Sequence, residues 1–378
     1  MFQVPLPEKY QQLGRDEAVD RIAQCQQQLG DRMVILGHHY QRDEIIQFAD
    51  FTGDSLKLSQ IAAQQKNAEF IVFCGVHFMA ESADILAEPY QKVLLPHMDA
   101  GCGLAEMADI GQVEQCWHYL QQNLPHPEKL VPVTYVNSTA AIKAFCGNHG
   151  GLCCTSSNCR VIFEALWKND PETVILFLPD QHLGRNIAYK MGKKLDRMAL
   201  WKPQKPNGSL SPEQIKNADI VLWDGFCCIH QEFSVEQIKS ARAKNPQVKV
   251  IVHPECSFEV AQAADYLGST EQIIKTVGAA KPGSRWLVGT ERRLVERLAR
   301  KMMVENIHVE LLTDTRCICK TMNLIDLEHL AWLMDNLRQH CQDPEAVPLV
   351  NQVSVDEDPK RYAKVALDKM LDITASTK

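Results

Sequence analysis

None of the 14 cysteines of this 378-residue chain forms a C-x-x-C pair with another. Zinc ribbons, thioredoxin-like motifs and locally wound ferredoxin clusters are built on such pairs, so their absence argues against all three. A disulfide framework is also unexpected, because the first residues, MFQVPLPEKY, lack the basic and apolar stretches of an export signal. A metal held by these thiols must therefore take its ligands from distant parts of the sequence.

The sequence also lacks an excess of positive charge and a long hydrophobic run. The formal net charge is -7 with a pI near 6.0, which makes a wide basic face for nucleic acid unexpected. No apolar run reaches the ~18 residues that a bilayer span requires. Hydrophobic residues nevertheless make up 45% of the chain, enough for a globular core. We expect a cytoplasmic protein that binds neither nucleic acid nor membrane.

Short apolar runs alternate with helix-like stretches along the chain. This alternation predicts an α/β fold with small parallel sheets that are buried on both faces. The runs fall into three groups of three, repeated at intervals of roughly 100 residues, which is far longer than a solenoid period. We therefore predict three similar α/β/α domains, at 1–114, 115–230 and 231–378, with further helices at both ends of the chain. The runs are MVILGHH, EFIVFCG and KVLLPHM, then LVPVTYV, TVILFLP and DIVLWDG, then KVIVHPE, RWLVGTE and HVELLTD.

Polar residues collect where the helices of this pattern begin. Each such segment alone is typical of ordinary helix capping. In parallel sheets, however, ligands bind at the carboxyl ends of the strands, and helix N-termini there attract anions without a basic protein. Together the segments predict a small substrate with carboxylates or phosphates. They are GHHY, with GDS further on, then TYVNS and TSSN in the second group, and HPEC, GST and GTE in the third.

Titratable side chains stand among these polar residues. A lone histidine such as His38 or His253 is more often a hydrogen-bonded structural residue. Glu255 is a stronger candidate, because it follows Pro254 at the end of an apolar strand, where an unpaired carboxylate is costly. A carboxylate in that position indicates general acid or base chemistry.

Three cysteines occupy corresponding places after the last run of each group. They are Cys102 in DAGCGLAEMAD, Cys227 in WDGFCCIH and Cys319 in CICKTMNLIDLEHL. Most cysteines in such a chain are small buried hydrophobes. Three thiolates can instead hold zinc, or three irons of a [4Fe–4S] cluster whose fourth iron is then a Lewis acid. From the residues alone, both metals remain open.

The motifs resemble those of the quinolinate synthase family, in the same order over residues 31–335. That resemblance implies three α/β domains in a pseudo-threefold arrangement around a central site, with one [4Fe–4S] cluster held by three cysteines. It also implies condensation of iminoaspartate with dihydroxyacetone phosphate to quinolinate, with loss of phosphate and two waters, on the way to NAD. The motifs are GHHYQRDEIIQFADFTGDSLKLS, DAGCGLAEMAD, VTYVNSTAAIKA, CTSSN, WDGFCCIH, HPEC, LGSTEQI, VGTE and CKTM.

Matched motif by motif, the resemblance makes Cys102, Cys227 and Cys319 the cluster ligands. It makes Glu255 and Tyr40 the candidates for proton transfer, and it implies backbone amides that hold phosphate or carboxylate near Ser156 and Ser269. The other implied catalytic or substrate-binding residues are His38, Ser55, Tyr135, Asn137, Ser156, His253 and Thr270.

Two neighbouring cysteines complicate the ligand assignment. Cys228 adjoins Cys227, and Cys317 lies two residues before Cys319. The family's G-x-C-x-x-H spacing, ending here at His230, selects Cys227, and the C-x-x-M spacing selects Cys319. No role is predicted for these two neighbours or for the other extra cysteines, which are Cys146, Cys153, Cys154 and Cys159.

Two other classes of function remain open at this stage. One is a redox or metal sensor without turnover, and the other is a zinc-dependent hydrolase on the same three thiolates. The expected partners are the two small substrates, with possible transient contact with the oxidase that produces iminoaspartate.

Overall fold

The computed structural model describes residues 3–315 and 317–376, and the chain divides into two compact units. The first unit comprises Met1–Cys102 with Ile318–Asp356, and the second comprises Gly103–Cys317 with Glu357–Lys378. The predicted domain boundaries at 114/115 and 230/231 stay a prediction.

The described residues contain strands β1 to β14 and helices α1 to α17, numbered in chain order. The strands are Met33–His38, Phe51–Gly53, Phe70–Cys74, Lys92–Leu94, Leu130–Tyr135, Leu152–Cys154, Val174–Leu178, Met198–Trp201, Ile220–Trp223, Lys249–Val252, Tyr266–Leu267, Arg285–Gly289, His308–Leu311 and Gln352–Val353. The helices are Glu8–Gln11, Arg15–Leu29, Asp43–Ile46, Ser55–Gln64, His77–Leu86, Gly103–Glu106, Ile110–Asn123, Ala140–Asn148, Cys159–Asn169, Gln181–Lys190, Pro212–Lys216, Val235–Lys244, Phe258–Ala263, Thr270–Gly278, Arg292–Met303, Leu327–Gln342 and Glu357–Ser376.

These strands form three sheets, so the predicted α/β class with small parallel sheets is confirmed. The first unit has the order β14-β4-β3-β1-β2, in which only β14 is antiparallel to its neighbour. The second unit has two wholly parallel sheets, β6-β5-β7-β9-β8 and β11-β10-β12-β13. Each predicted group of three apolar runs supplies three strands of one sheet. Every residue of β1, β3 and β9 is buried, as expected for strands covered on both faces.

All three sheets share one strand order. In each sheet, the second strand along the chain lies on one side of the first, and the third and fourth lie on its other side. With β8 left out of the count, the orders are β2-β1-β3-β4, β6-β5-β7-β9 and β11-β10-β12-β13. Strand β8 is an addition at the edge of its sheet. In this order the connections leave the first and third strands in opposite directions, which opens a crevice at their carboxyl ends. The repeat inferred from the sequence is therefore a repeat of topology.

Segments from the end of the chain return to earlier elements of their own units. In the first unit, α16 packs on α2, and β14 pairs with β4. In the second, α17 packs on α8, α9 and β6. The approach of α17 to α8 requires glycine at 147, because a Cβ there would lie 1.9 Å from the backbone oxygen of Tyr362. No helix within residues 3–315 or 317–376 is long and apolar enough to span a membrane.

Candidate functional site

The predicted site residues fall at equivalent positions of the three sheets. The first strands and the loops directly after them carry His38 and Tyr40, then Tyr135 and Asn137, then His253 and Glu255. The segments after the second strands carry Ser55, Ser156 and Thr270, and those after the fourth strands carry Cys102, Cys227 and Cys319. Both kinds of loop stand at the carboxyl ends of parallel strands, where α/β sheets bind ligands.

In the first unit, His38 ends β1 and is only 4% exposed. Its Nδ1 accepts a hydrogen bond from the backbone N–H of Tyr40 at 3.2 Å, which leaves Nε2 to carry the proton. The Tyr40 ring meets the imidazole edge-on, with the ring centroids 4.7 Å apart. These contacts fix both side chains relative to the strand end.

The same loop is fastened to the segment that carries Cys319. The side-chain amide of Gln41 donates to the backbone oxygen of Met322 at 3.2 Å. Arg42 donates from Nε to Oδ1 of Asn323 at 2.9 Å and from Nη2 to its backbone oxygen at 2.6 Å. The β1 loop and the Cys319 segment therefore hold each other in place.

Ser55 and Cys102 complete the predicted residues of the first unit. Ser55 is the first residue of α4, and Asp54 caps that helix by accepting from the backbone N–H of Lys57 at 2.9 Å. Cys102 is half-buried, and the backbone oxygen of Ala100, two residues before it, accepts from the N–H of His77 at 2.7 Å. Both predicted residues thus stand on loops that hydrogen bonds anchor.

In the second unit, the two predicted anion-binding loops touch each other. The hydroxyl of Ser157, next to Ser156, donates to the hydroxyl of Ser269 at 2.8 Å. Ser269 caps α14 with the predicted capping box, and Thr270 is the first residue of that helix. Helices α9 and α14 follow strands of two different sheets, and this contact brings their N-termini next to each other.

The loop after β5 is held from inside the protein. Tyr135 is 5% exposed, and Oδ1 of Asn137 finds no hydrogen-bond partner among the described residues. The fully buried ammonium of Lys143 donates to the backbone oxygen of Ser138 at 2.5 Å. A buried oxygen without a partner, as at Asn137, is typical of a ligand-binding position.

A buried carboxylate with two imidazoles lies after β9 and β10. Oε2 of Glu255 is 2.8 Å from Nδ1 of His230 and 3.2 Å from Nδ1 of His253. The two rings stack with centroids 4.4 Å apart, and all three residues are 1–2% exposed. His230, which the sequence analysis used only to select Cys227, is therefore a direct neighbour of Glu255.

Burial and charge act on Glu255 in opposite directions. Burial alone would raise the pKa of Glu255, but His230 and His253 outweigh it and hold that pKa well below its usual range. Asp180, after β7, is fully buried, and burial followed by the charge of Glu255 raises the pKa of Asp180 well above its usual range. The pKa values of the two carboxyl groups are thus shifted in opposite directions, a pattern typical of acid–base sites.

Sequence reasoning missed Asp180 and Asn186. Asp180 caps α10 by accepting from the N–H of Leu183 at 2.7 Å. The Pro-Asp that follows the apolar run TVILFLP carried the same strand-end signal as GHHY. Asn186 lies inside α10, where no local pattern marks it.

Asn186 clamps the loop that carries Glu255. Its side-chain amide donates to the backbone oxygens of Pro254 at 2.9 Å and Cys256 at 2.8 Å, and Gln231 donates to the backbone oxygen of Glu255 at 3.0 Å. Three successive carbonyl groups are thus held by two side-chain amides.

Replacement of Asn186 by alanine is expected to lower the free energy of unfolding by about 1–3 kcal/mol, because two buried carbonyl groups lose their donor. Urea unfolding of the full-length variant measures this loss. The matched control is Asn148→Ala, at the exposed end of α8, which is expected to change stability by no more than about 0.5 kcal/mol. Equal stability of the Asn186 variant and its parent would contradict a clamp.

The cysteines separate by burial. Nine are buried, among them Cys74 and Cys153, whose pKa values burial raises to about 12. Those not buried are the three predicted ligands together with Cys228 and Cys341. The thiol of Cys317 is 1% exposed and donates to the backbone oxygens of Ile229 at 3.6 Å and Thr290 at 3.7 Å. Cys317 is therefore engaged with its own unit.

Comparison with known proteins gives one answer over nearly the whole chain. The sequence model described as Quinolinate synthetase A protein matches residues 20–372. A quinolinate synthase of Acidobacterium capsulatum is 50% identical over 359 residues, which cover 95% of this chain and 94% of that protein. A quinolinate synthase of Streptomyces coelicolor is 48% identical, and the match covers 94% of this chain and 88% of that protein. A quinolinate synthase of Halalkalibacterium halodurans is 48% identical, and the match covers 97% of this chain and 96% of that protein.

Proposed function

The chain belongs to the quinolinate synthase A family and acts as a quinolinate synthase in NAD biosynthesis, and from this we propose how its own residues carry the reaction. We propose that it condenses iminoaspartate with dihydroxyacetone phosphate, releasing phosphate and two waters. The observation that carries the proposal is the equivalent placement of the predicted residues after the first, second and fourth strands of all three sheets.

The family uses a [4Fe–4S] cluster, and we propose that Cys102, Cys227 and Cys319 hold it in this chain. Each of these cysteines follows the fourth strand of a sheet, and each is partly exposed. Neighbouring Cys317 is buried against two backbone carbonyl groups instead. When bound, such a cluster supplies one iron without a protein thiolate, a Lewis acid that assists the loss of hydroxyl groups.

Proton transfer is assigned to Glu255 and Tyr40. The Glu255 carboxylate lies beside His230 and His253, and Asn186 and Gln231 fix its loop, so the carboxylate is held in place after β10. In the first unit, the hydroxyl of Tyr40 is the group that donates or accepts a proton. The Tyr40 ring is held against His38. Nε2 of His38 carries a proton and can donate to a substrate carboxylate.

The anionic groups of the substrates are assigned to the helix N-termini. The amides near Ser156 and Ser269 begin α9 and α14, and the Ser157–Ser269 hydrogen bond joins the two loops. Asn137, whose buried oxygen has no partner among the described residues, is assigned to a polar hydrogen of the substrate. Ser55, Tyr135, His253 and Thr270 complete the proposed binding residues.

Air is expected to inactivate the enzyme without unfolding it. Three thiolates leave one iron of the cluster open to oxidant, whereas the fold depends on its buried core. Quinolinate formation, visible absorbance and far-UV circular dichroism are compared before and after exposure, beside a sample kept anaerobic. Iron and sulfide under reducing conditions should restore activity. Full activity in aerobically purified, metal-free protein would refute the role of the cluster.

Two further parts of the proposal concern the location of the protein in the cell and its contact with another enzyme. A cytoplasmic location, expected from the sequence, and a transient contact with the oxidase that produces iminoaspartate stay predictions. To test the contact, the quinolinate yield with iminoaspartate supplied by the oxidase is compared with the yield from iminoaspartate generated chemically.

A further inference from the structure

Three different metal-binding side chains meet inside the second unit. One donor atom from each of Cys227, His230 and Glu255 lies within 4.8 Å of the other two. The thiol and the imidazole follow β9 in one sheet, and the carboxylate follows β10 in the next. Thiolate, imidazole and carboxylate are the three donor types that zinc accepts from proteins.

Two buried donor atoms in this group have no hydrogen-bond partner among the described residues. They are Nδ1 of His230 and Oε1 of Glu255, in side chains that are 1% and 3% exposed. Nδ1 lies 2.8 Å from Oε2 of Glu255, but the pair is not aligned for a hydrogen bond. Because buried polar atoms are nearly always satisfied, two such atoms on neighbouring side chains of one cluster indicate a ligand-binding position.

The surroundings already orient the donors. Nε2 of His230 lies 3.2 Å from the hydroxyl of Thr290, and a hydrogen bond there turns Nδ1 toward the carboxylate. Asn186 and Gln231 fix the backbone of Glu255. Such outer contacts are what hold the ligands of a metal ion in geometry. Partly exposed Cys227 gives the ion a way in.

We propose that the cluster-free protein binds one Zn²⁺ ion through Cys227, His230 and Glu255, with water as the fourth ligand. Binding forms a bond between zinc and the thiolate sulfur, and the thiol proton passes to solvent. Zinc and the [4Fe–4S] cluster compete for Cys227, so zinc blocks cluster loading. Only this competition rests on the proposed function; the zinc site itself requires neither Cys102 nor Cys319.

The test uses the full-length Cys102→Ser/Cys319→Ser variant, prepared without iron, with Co²⁺ as the spectroscopic probe. We expect one cobalt per chain, the absorption of a single cobalt–thiolate bond, and displacement of the cobalt by zinc. Adding Cys227→Ser should abolish the thiolate band, and adding His230→Gln should weaken binding at least about 10-fold, a loss of about 1.4 kcal/mol. Adding Cys228→Ser, the adjacent exposed thiol, should change nothing. Far-UV circular dichroism checks that each variant is folded.

Two results would overturn the site. One is a double variant without a cobalt–thiolate band, and the other is a band that persists after Cys227→Ser. Competition is measured separately, by incubating cluster-free parent protein with zinc before adding iron and sulfide. At least a 10-fold loss of iron uptake supports it, and unchanged uptake refutes it. A parent chain that never binds iron would count against the proposed function and leave the cobalt result standing.

Discussion

Glu255→Gln is expected to lower kcat about 10²–10⁴-fold while the iron content stays at the parental level. The amide keeps the shape of the side chain, and the loop remains held through its backbone by Asn186 and Gln231. What is lost is the carboxylate beside His230 and His253 to which we assign proton transfer. Anaerobic assay of quinolinate formation, with iron analysis of the same sample, measures both quantities.

The matched control is Glu259→Gln. Glu259 lies four residues further on, at the exposed start of α13, and its replacement should leave kcat within about twofold. A Glu255→Gln enzyme with full iron and near-parental turnover would remove this carboxylate from the mechanism. Loss of iron together with turnover would instead assign it to metal binding.

Serine in place of Cys102, Cys227 or Cys319 is expected to reduce iron from about four per chain to a small fraction of that, with complete loss of turnover. Each of these thiols is partly exposed on the loop after a fourth strand. Iron and sulfide content and visible absorbance of anaerobically purified variants measure the effect. Because surface loops carry all three, the variants should remain folded.

The control cysteines either lie close to a proposed ligand in the sequence or resemble the ligands in exposure. Cys228→Ser changes an exposed neighbour, Cys317→Ser a buried one, and Cys341→Ser a thiol of comparable exposure on α16. All three should retain iron, although Cys317→Ser removes a buried thiol that contacts two carbonyl groups and should cost stability. Loss of iron in Cys317→Ser with retention in Cys319→Ser would reverse that assignment.

The interior of each sheet could be predicted from the sequence, but of the edge strands only β13 could. All nine apolar runs are strands, and the helices expected near both ends of the chain are α2 and α17. The strands without a prediction, β2, β6, β8, β11 and β14, are two to four residues long and lie at sheet edges. So few residues cannot display a period, and an edge strand has a partner on one side only. Phe51 of β2, for example, is 39% exposed.

The candidate site divides along a similar line. Residues directly after a strand, such as His38 and Glu255, were predictable because parallel strands present their carboxyl ends to ligands. The contact between His230 and Glu255 joins two sheets, and Asn186 reaches the Glu255 loop from the middle of a helix. Such contacts depend on how distant elements pack, which no local pattern encodes.

The return of α17 to α8 and α9 bears on how the protein is made. The strands of the second unit are synthesised before residues 357–376, so α17 can cover the α8 surface around Gly147 only after that later segment has left the ribosome. Asn158, beside Ser156, gains its hydrogen bond to Thr374 only at that moment. The first unit waits in the same way for α16 and β14. Neither unit is therefore complete when its earlier strands have been synthesised, because each also contains a later segment of the chain.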